Sequence, residues 1–286
     1  MLKNRIIGLV IVKNGIVVQS KKFRQYLPVG DPKITLEYLD KWGIDEIILL
    51  DISATSSGET KTLNVLDEIT SNCFVPVTYG GGLNSKERIY KAFNNGADKV
   101  SFNYILGKKN DLIQNTIKEF GRQSVVASID FIETDNGNKV YDYSINKNSN
   151  KNLNEFVEYI DNLGVGEILI NCVNRDGTYK GFSLDSIKEL KNIKAQLILS
   201  GGARKVKHFK KGFMIKNLSA LAASNMFHFY EHSVSKLKAN LKDCNIRQNN
   251  NILYDSHIFD SDLRIKKLND NKLESLIYKK LIDEDI

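Results

Sequence analysis

The feature that most limits what this chain can fold into is an internal repeat. WGIDEIILLDI at 42–52 returns as LGVGEILINCV at 163–173, and VTYGGGLNS at 77–85 returns as LILSGGARK at 197–205. ADKVSFN at 97–103 falls opposite LSALAAS at 218–224, and the opening strand, RIIGLVIVKNG at 5–15, falls opposite VVASIDFIETDNG at 125–137. The offset stays at about 120 residues, so the repeating unit is half of the fold rather than a short solenoid unit. Within each half, short β-branched runs alternate with helical patterns. The expected strands are 5–12, 46–51, 74–78, 99–102, 124–130, 167–171, 196–200 and 219–223. DPKITLEYLDKWG carries Asp31 as N-cap, Pro32 in the first helical position and Gly43 as terminator, and NSKERIYKAFNNG carries Asn84 as N-cap, Glu87 three residues on and Gly96 at the end. Eight strand–helix units in two equivalent halves predict a single (β/α)8 barrel over 1–245. The remainder, 246–286, reads as an extension. NIRQNNN at 245–251 is polar, and Leu273, Leu276, Ile277 and Leu281 then recur at helical spacing.

With 286 residues, 42% apolar and 26% charged, the chain has the composition of an ordinary globular protein. The early apolar run Ile6–Val12 is too short to span a bilayer and lacks a small-residue cleavage site, so a cytoplasmic location and no membrane partner are expected. Cys73, Cys172 and Cys244 are scattered and odd in number, which suggests neither a zinc site nor a disulfide framework but inert thiols. No metal or cofactor is expected. Part of the net charge of +7 concentrates in RKVKHFKKGFMIK at 204–216. That run reads as a solvated helix face or as an attractor of anions; it lacks the interleaved aromatics of an RNA-binding surface, so no nucleic-acid partner is expected.

In a parallel barrel the chemistry lies at the C-terminal ends of the strands. Small-residue stretches end there: YGGGLN with Gly81 and Gly82, RDGT with Asp176 and Gly177, SGGAR with Gly201 and Gly202, and AAS with Ala223 and Ser224. Glycine lets backbone N–H groups approach an anion, and two such cradles related by the repeat point to a phosphate-rich substrate spanning the mouth. The competing reading is that these glycines serve only tight turns. Asp51, Asp130 and Asp176 stand at or just beyond strand tops, as candidates for acid–base work or as loop caps. At the other end, Arg5, Glu46, Lys99 and Glu167 begin four strands, and two charges of each sign there read as a salt-bridge plug.

Together NRIIGLVIVKNG, GDP, GIDEIILLDI, GGGLNS, GADKVSFN, VVASID, RDGT, SGGA and LAASNMFHF resemble the cyclase subunit of imidazole glycerol phosphate synthase, HisF, over about residues 1–245. The resemblance implies a HisH-like glutaminase partner docked on the barrel bottom near Asp98, with ammonia passing a gate formed by Arg5, Glu46, Lys99 and Glu167. It implies phosphate or substrate contacts at Asp51, Gly81, Gly82, Asn103, Asp176, Gly177, Gly201, Gly202, Ala223 and Ser224. It also implies a catalytic pair of aspartates. One matches Asp130, and the other falls on Ile11, which cannot carry a proton. Gln19 stands where the family carries a lysine, and Tyr104 where it carries a threonine. A kept gate with half of the acid–base pair missing is similar to HisF-like proteins of surface-polysaccharide synthesis. The expectation is therefore a subunit that channels ammonia for amidination of an acetamido sugar, with a sugar amidotransferase as a further partner and a phosphorylated or nucleotide-linked acceptor. The alternatives are a true histidine-pathway cyclase and a non-catalytic scaffold of an amidotransferase complex.

Overall fold

The structure, a computed structural model, describes residues 3–58, 61–143, 147–248, 266 and 269–275. Its strands are β1 (Arg5–Lys13), β2 (Ile16–Lys21), β3 (Gln25–Gly30), β4 (Glu46–Asp51), β5 (Val77–Gly80), β6 (Lys99–Phe102), β7 (Val125–Thr134), β8 (Gly137–Asp142), β9 (Lys147–Asn152), β10 (Glu167–Cys172), β11 (Gln196–Ser200) and β12 (Leu218–Ala223). Its helices are α1 (Pro32–Lys41), α2 (Ala54–Ser57), α3 (Lys61–Asn64), α4 (Leu66–Thr70), α5 (Lys86–Asn94), α6 (Asn110–Phe120), α7 (Leu153–Asp161), α8 (Leu184–Lys188), α9 (Val206–Phe213), α10 (Ser233–Ala239) and α11 (Asp270–Glu274). Eight strands pair in parallel in the order β1-β4-β5-β6-β7-β10-β11-β12, and β12 returns to β1 with Arg5 opposite Ala220, which closes a (β/α)8 TIM barrel.

Both faces of these strands are buried, which is why they read as near-continuous apolar runs. Ile6, Val10 and Val12 of β1 face the helices with Ile47 and Leu49, whereas Ile7, Leu9 and Ile11 face the lumen with Ile48, Val126, Leu169, Ile198, Ala220 and Ala222. The repeat survives as two hairpins, β2–β3 after β1 and β8–β9 after β7, each opened by an Asn-Gly turn and lying at the C-terminal mouth.

Three local expectations shift. The cap of α5 is Ser85, not Asn84: Ser85 is the extended residue, and its hydroxyl accepts from the Arg88 N–H at 3.5 Å. The third barrel strand begins at Val77 rather than at residue 74, because Pro76 offers no N–H to a ladder and its carbonyl instead accepts from Ile47 at 3.0 Å. The fifth runs on to Thr134, extended by its pairing with β8. The tail helix is described only over Asp270–Glu274, and Leu276, Ile277 and Leu281 lie outside the described residues. Among the described residues, no helix is long and apolar enough to cross a membrane.

The β2–β3 hairpin is held down from below. Gly177 lies at φ +66°, and a Cβ there would run into the Ser20 carbonyl oxygen and Lys21. Gly177→Ala is expected to destabilise the chain by about 2–3 kcal/mol, combining left-handed strain with a backbone clash. The displaced tip should also be cut faster by trypsin at Lys21, Lys22 and Arg24, which are exposed. Denaturant titration and timed proteolysis check both effects.

Candidate active site

At the bottom of the barrel, the four charged strand starts form one closed ring. A single Arg5 Nη1 donates to Glu46 Oε1 at 2.6 Å and to Glu167 Oε1 at 2.7 Å, while Lys99 Nζ reaches Glu46 Oε2 at 3.0 Å and Glu167 Oε2 at 2.9 Å. Arg5, Glu46 and Glu167 are buried. Burial works against each charge. At Arg5 the two glutamates outweigh it and raise the pKa, and at Glu46 the two cations outweigh it and lower the pKa. The sequence reading missed a fifth member, Gln196, whose amide oxygen accepts from Arg5 Nη2 at 2.8 Å. Gln196 begins β11 as the other four begin their strands, so its position was the available signal. Asp98 is exposed beside Lys99 and accepts from the Val77 N–H at 2.8 Å.

Above the ring the lumen carries Thr78, Ser101, Ser128, Asn171 and Ser200, all buried, among its aliphatic residues. At its upper end Asp130 is 6% exposed. Its Oδ2 accepts from Asn103 Nδ2 at 2.7 Å and its Oδ1 from Asn171 Nδ2 at 3.1 Å. Asn171 stands in register with Asp130 on the neighbouring strand, and its own oxygen accepts from Ser200 Oγ at 2.7 Å. Burial pushes the Asp130 carboxyl up to about 6. The two amides oppose that shift, and the charge of Asp176 adds to it. A carboxyl poised there can give or take a proton near neutral pH. Ile11, on the strand directly across the barrel, is 8% exposed in the lumen cluster, with Tyr26, Leu50 and Ile52 packed against that cluster. Across the barrel Asp130 therefore faces an apolar wall rather than a second acid. Asn171 was legible as a polar residue interrupting the apolar run EILINCV, but only the barrel register ties it to Asp130.

Asp51 stands differently. Its Oδ1 accepts from Ser53 N, Ser53 Oγ and Ala54 N, which caps the turn into α2, and its Oδ2 accepts from Thr62 Oγ1 of α3 at 2.6 Å. Asp176, Gly177, Gly201, Gly202, Ala223 and Ser224 line one cleft, which also reaches Leu9 of the lumen. The buried Ser224 hydroxyl has no partner in the structure, as an anion-accepting donor would stand before its ligand arrives. Asp176 accepts from Ser20 Oγ at 2.7 Å, and burial raises its carboxyl to about 6. Gln19 donates to the Asn225 carbonyl at 3.1 Å, and the Asn225 amide brackets the backbone of Ser20, so Gln19 helps to fasten the hairpin over the cleft. In the other half, Gly81 and Gly82 follow β5, and Arg88 donates to the Gly82 and Gly58 carbonyls at 2.9 and 3.0 Å. Asn103 is engaged with Asp130, and Tyr104 beside it is 41% exposed.

The remaining candidates hold no chemistry. Burial pushes the Cys73 and Cys172 thiols up to about 12. Lys205, Lys207, Lys210, Lys211 and Lys216 of the basic run point into solvent. No group of three or more metal-ligating side chains occurs among the described residues.

A family model described as histidine biosynthesis protein matches residues 5–233. An imidazole glycerol phosphate synthase subunit HisF of Chloroherpeton thalassium is 36% identical over 244 residues, covering 85% of this chain and 97% of that one. The chain belongs to the HisF family. A HisF subunit of Campylobacter jejuni subsp. jejuni is 37% identical over 249 residues, covering 85% of this chain and 97% of that one. A Vibrio vulnificus protein provisionally named imidazole glycerol phosphate synthase subunit hisF2 is 33% identical over 265 residues, covering 92% of this chain and 97% of its own. Within this HisF-family barrel, the position opposite Asp130 is held by Ile11 and the hairpin position 19 by glutamine.

Proposed function

We propose that this chain is the synthase subunit of a glutamine-dependent assembly, taking ammonia from a HisH-like glutaminase at the barrel bottom and delivering it to an acceptor at the top. The observation that carries this reading is the closed ring of Arg5, Glu46, Lys99 and Glu167. It blocks the lumen with paired charges that a docked partner can rearrange, at the one place where ammonia would enter. Above it the lumen runs past scattered hydroxyls to Asp130 and opens beside the phosphate cleft. The N-terminal face also offers exposed apolar side chains around the entrance, Phe74 at 88% and Met214 at 81%. For the acceptor, the apolar Ile11 across the barrel from Asp130 removes the opposed pair of proton carriers, which favours a simple amination or amidination over ring closure with cleavage. Together with the resemblance, this supports an acetamido sugar of surface-polysaccharide synthesis, with a sugar amidotransferase completing the assembly.

The test is co-expression with the neighbouring HisH-like glutaminase. Association should raise glutamate release about 5–150-fold, the range of a coupling energy of 1–3 kcal/mol. Phe74→Glu should weaken the complex by about tenfold or more, as loss of an apolar anchor does. No association and no stimulation would overturn the proposal.

A second reading is cyclisation to imidazole glycerol phosphate, the reaction system named for the HisF relatives. The raised Asp130 carboxyl and the phosphate cleft favour it. It requires the enzyme to work with Ile11 where the second carboxylate belongs.

A further inference from the structure

By their repeat the two halves should offer two equal anion cradles. They do not. The C-terminal one, at Gly177, Gly202 and Ser224, is an open cleft with an unpartnered Ser224 hydroxyl. At its N-terminal counterpart, Gly82 and Asn103, the nearby side-chain donors are already engaged. Tyr143, just beyond β8, bonds through its hydroxyl to Thr55 Oγ1 at 3.1 Å. Thr55 lies on α2, whose Ala54 Cβ stands 3.1 Å from where a side chain on Gly82 would begin. The tyrosine therefore bridges from the second hairpin to the element packed on Gly82. Lys108 is engaged as well: its ammonium lies 3.6 Å from Asp142 and 3.8 Å above the Tyr104 ring. Beneath it the Asn103 amide serves Asp130, and the Arg88 guanidinium serves the Gly82 and Gly58 carbonyls. An anion placed here would lie next to the Asp130 carboxyl, with the Asn103 amide turned to that carboxyl and the Lys108 ammonium held between Asp142 and the Tyr104 ring.

We propose that the acceptor carries its phosphate at one end only. The phosphate, or the diphosphate of a nucleotide link, sits in the Gly177–Gly202–Ser224 cleft, and an uncharged glycosyl ring rests on the wall formed by Tyr104 and Tyr143. Phenol rings take the C–H face of a sugar well and a phosphate poorly. This places the ring beside Asp130, at the upper end of the lumen. The assignment rests on the mouth being the acceptor site, and it separates a one-phosphate acceptor from the two-phosphate acceptor that the repeat alone implies.

The experiment uses the full chain and three probes: inorganic phosphate, ribose 5-phosphate and ribulose 1,5-bisphosphate. Calorimetry and amide NMR should show one phosphate per chain, with shifts confined to residues 177, 201–202 and 223–224. The bisphosphate should bind within about threefold of the monophosphate. In Tyr104→Thr/Tyr143→Ala the second cradle loses both phenol rings, phosphate should shift residues 82 and 103 as well, and the bisphosphate should gain about tenfold or more, the scale of one set of charge-assisted hydrogen bonds. Two phosphates on the unaltered chain, a bisphosphate preference of tenfold there, no phosphate binding at all, or a double variant that still binds one phosphate would each overturn the assignment. Glutaminase stimulation, measured on the unaltered chain without acceptor, reads the ammonia-supply proposal separately.

Discussion

Arg5→Met is expected to destabilise the chain by about 3–5 kcal/mol, the range for removing one partner of a buried ion pair. The arginine is 6% exposed, and one of its nitrogens serves both Glu46 and Glu167. Without it, two buried carboxylates share Lys99 alone, and Gln196 loses its donor. The charge imbalance, more than the lost contacts, sets the size of the effect. Arg5→Met/Glu167→Gln, which removes one charge of each sign, should therefore recover more than half of the loss. Glu46 titrates below its ordinary value, so its share of the stability is present above the unfolded carboxylate pKa and is lost as pH falls through the lowered folded value. The gap between the unaltered chain and Arg5→Met should accordingly narrow below about pH 4. Urea titrations across that range measure the energies. With a glutaminase bound, the same variant should release more than one glutamate per product, because a broken ring no longer seals the lumen entrance. Full coupling in a folded Arg5→Met complex would rule out the ring as a gate.

Asp130→Asn should lower ammonia-dependent turnover by about 10²–10⁴-fold, the scale of one general acid or base. It should also make the protein more stable at alkaline pH. The carboxyl is raised to about 6 by burial, so the folded state holds its proton more tightly than the unfolded chain does. That preference favours the fold below about pH 4 and is lost as pH rises through 6, above which the buried charge costs stability. Removing the titration should therefore give the Asp130→Asn variant a relative gain of about 2 kcal/mol between about pH 4.5 and pH 8. Denaturation at the two pH values reads this directly, and an unchanged difference would mean that Asp130 is not held up by its surroundings. Placing a second carboxylate with Ile11→Asp then distinguishes the two functional readings. Regained cyclisation would favour the histidine-pathway reaction, and its absence would assign the change to the whole remodelled mouth.

Much of this site was legible in the residue order because the barrel translates sequence position into height. A residue at a strand start lies at the bottom and one at a strand end lies at the top. For that reason Arg5, Glu46, Lys99 and Glu167 could be grouped as one layer, and Gly177, Gly202 and Ser224 as another, from spacing alone. Spacing carries no information on which groups are already satisfied. Asp51 and Asp130 both end apolar strands, yet Asp51 spends one oxygen on the turn into α2 and the other on Thr62 of α3, whereas Asp130 is clamped by two amides at the lumen end.

The sequence by itself determined the closed eight-stranded barrel, its two-fold repeat, the charged layer at one end and the pairing of Ile11 with Asp130 at equivalent places in the repeat. These follow from alternation, from glycine placement and from side-chain chemistry, which are local properties. Tertiary structure alone decided that one arginine nitrogen binds both glutamates of the ring and that Asn171 and Ser200 support Asp130. It also decided that the second hairpin reaches across to α2, where the Tyr143 hydroxyl meets Thr55, and that the first is fastened to Asn225. Those outcomes depend on hydrogen bonds between residues 29 to 206 positions apart, such as Ser200 to Asn171 and Gln19 to Asn225. Their partners are chosen by barrel closure and not by neighbours in the chain.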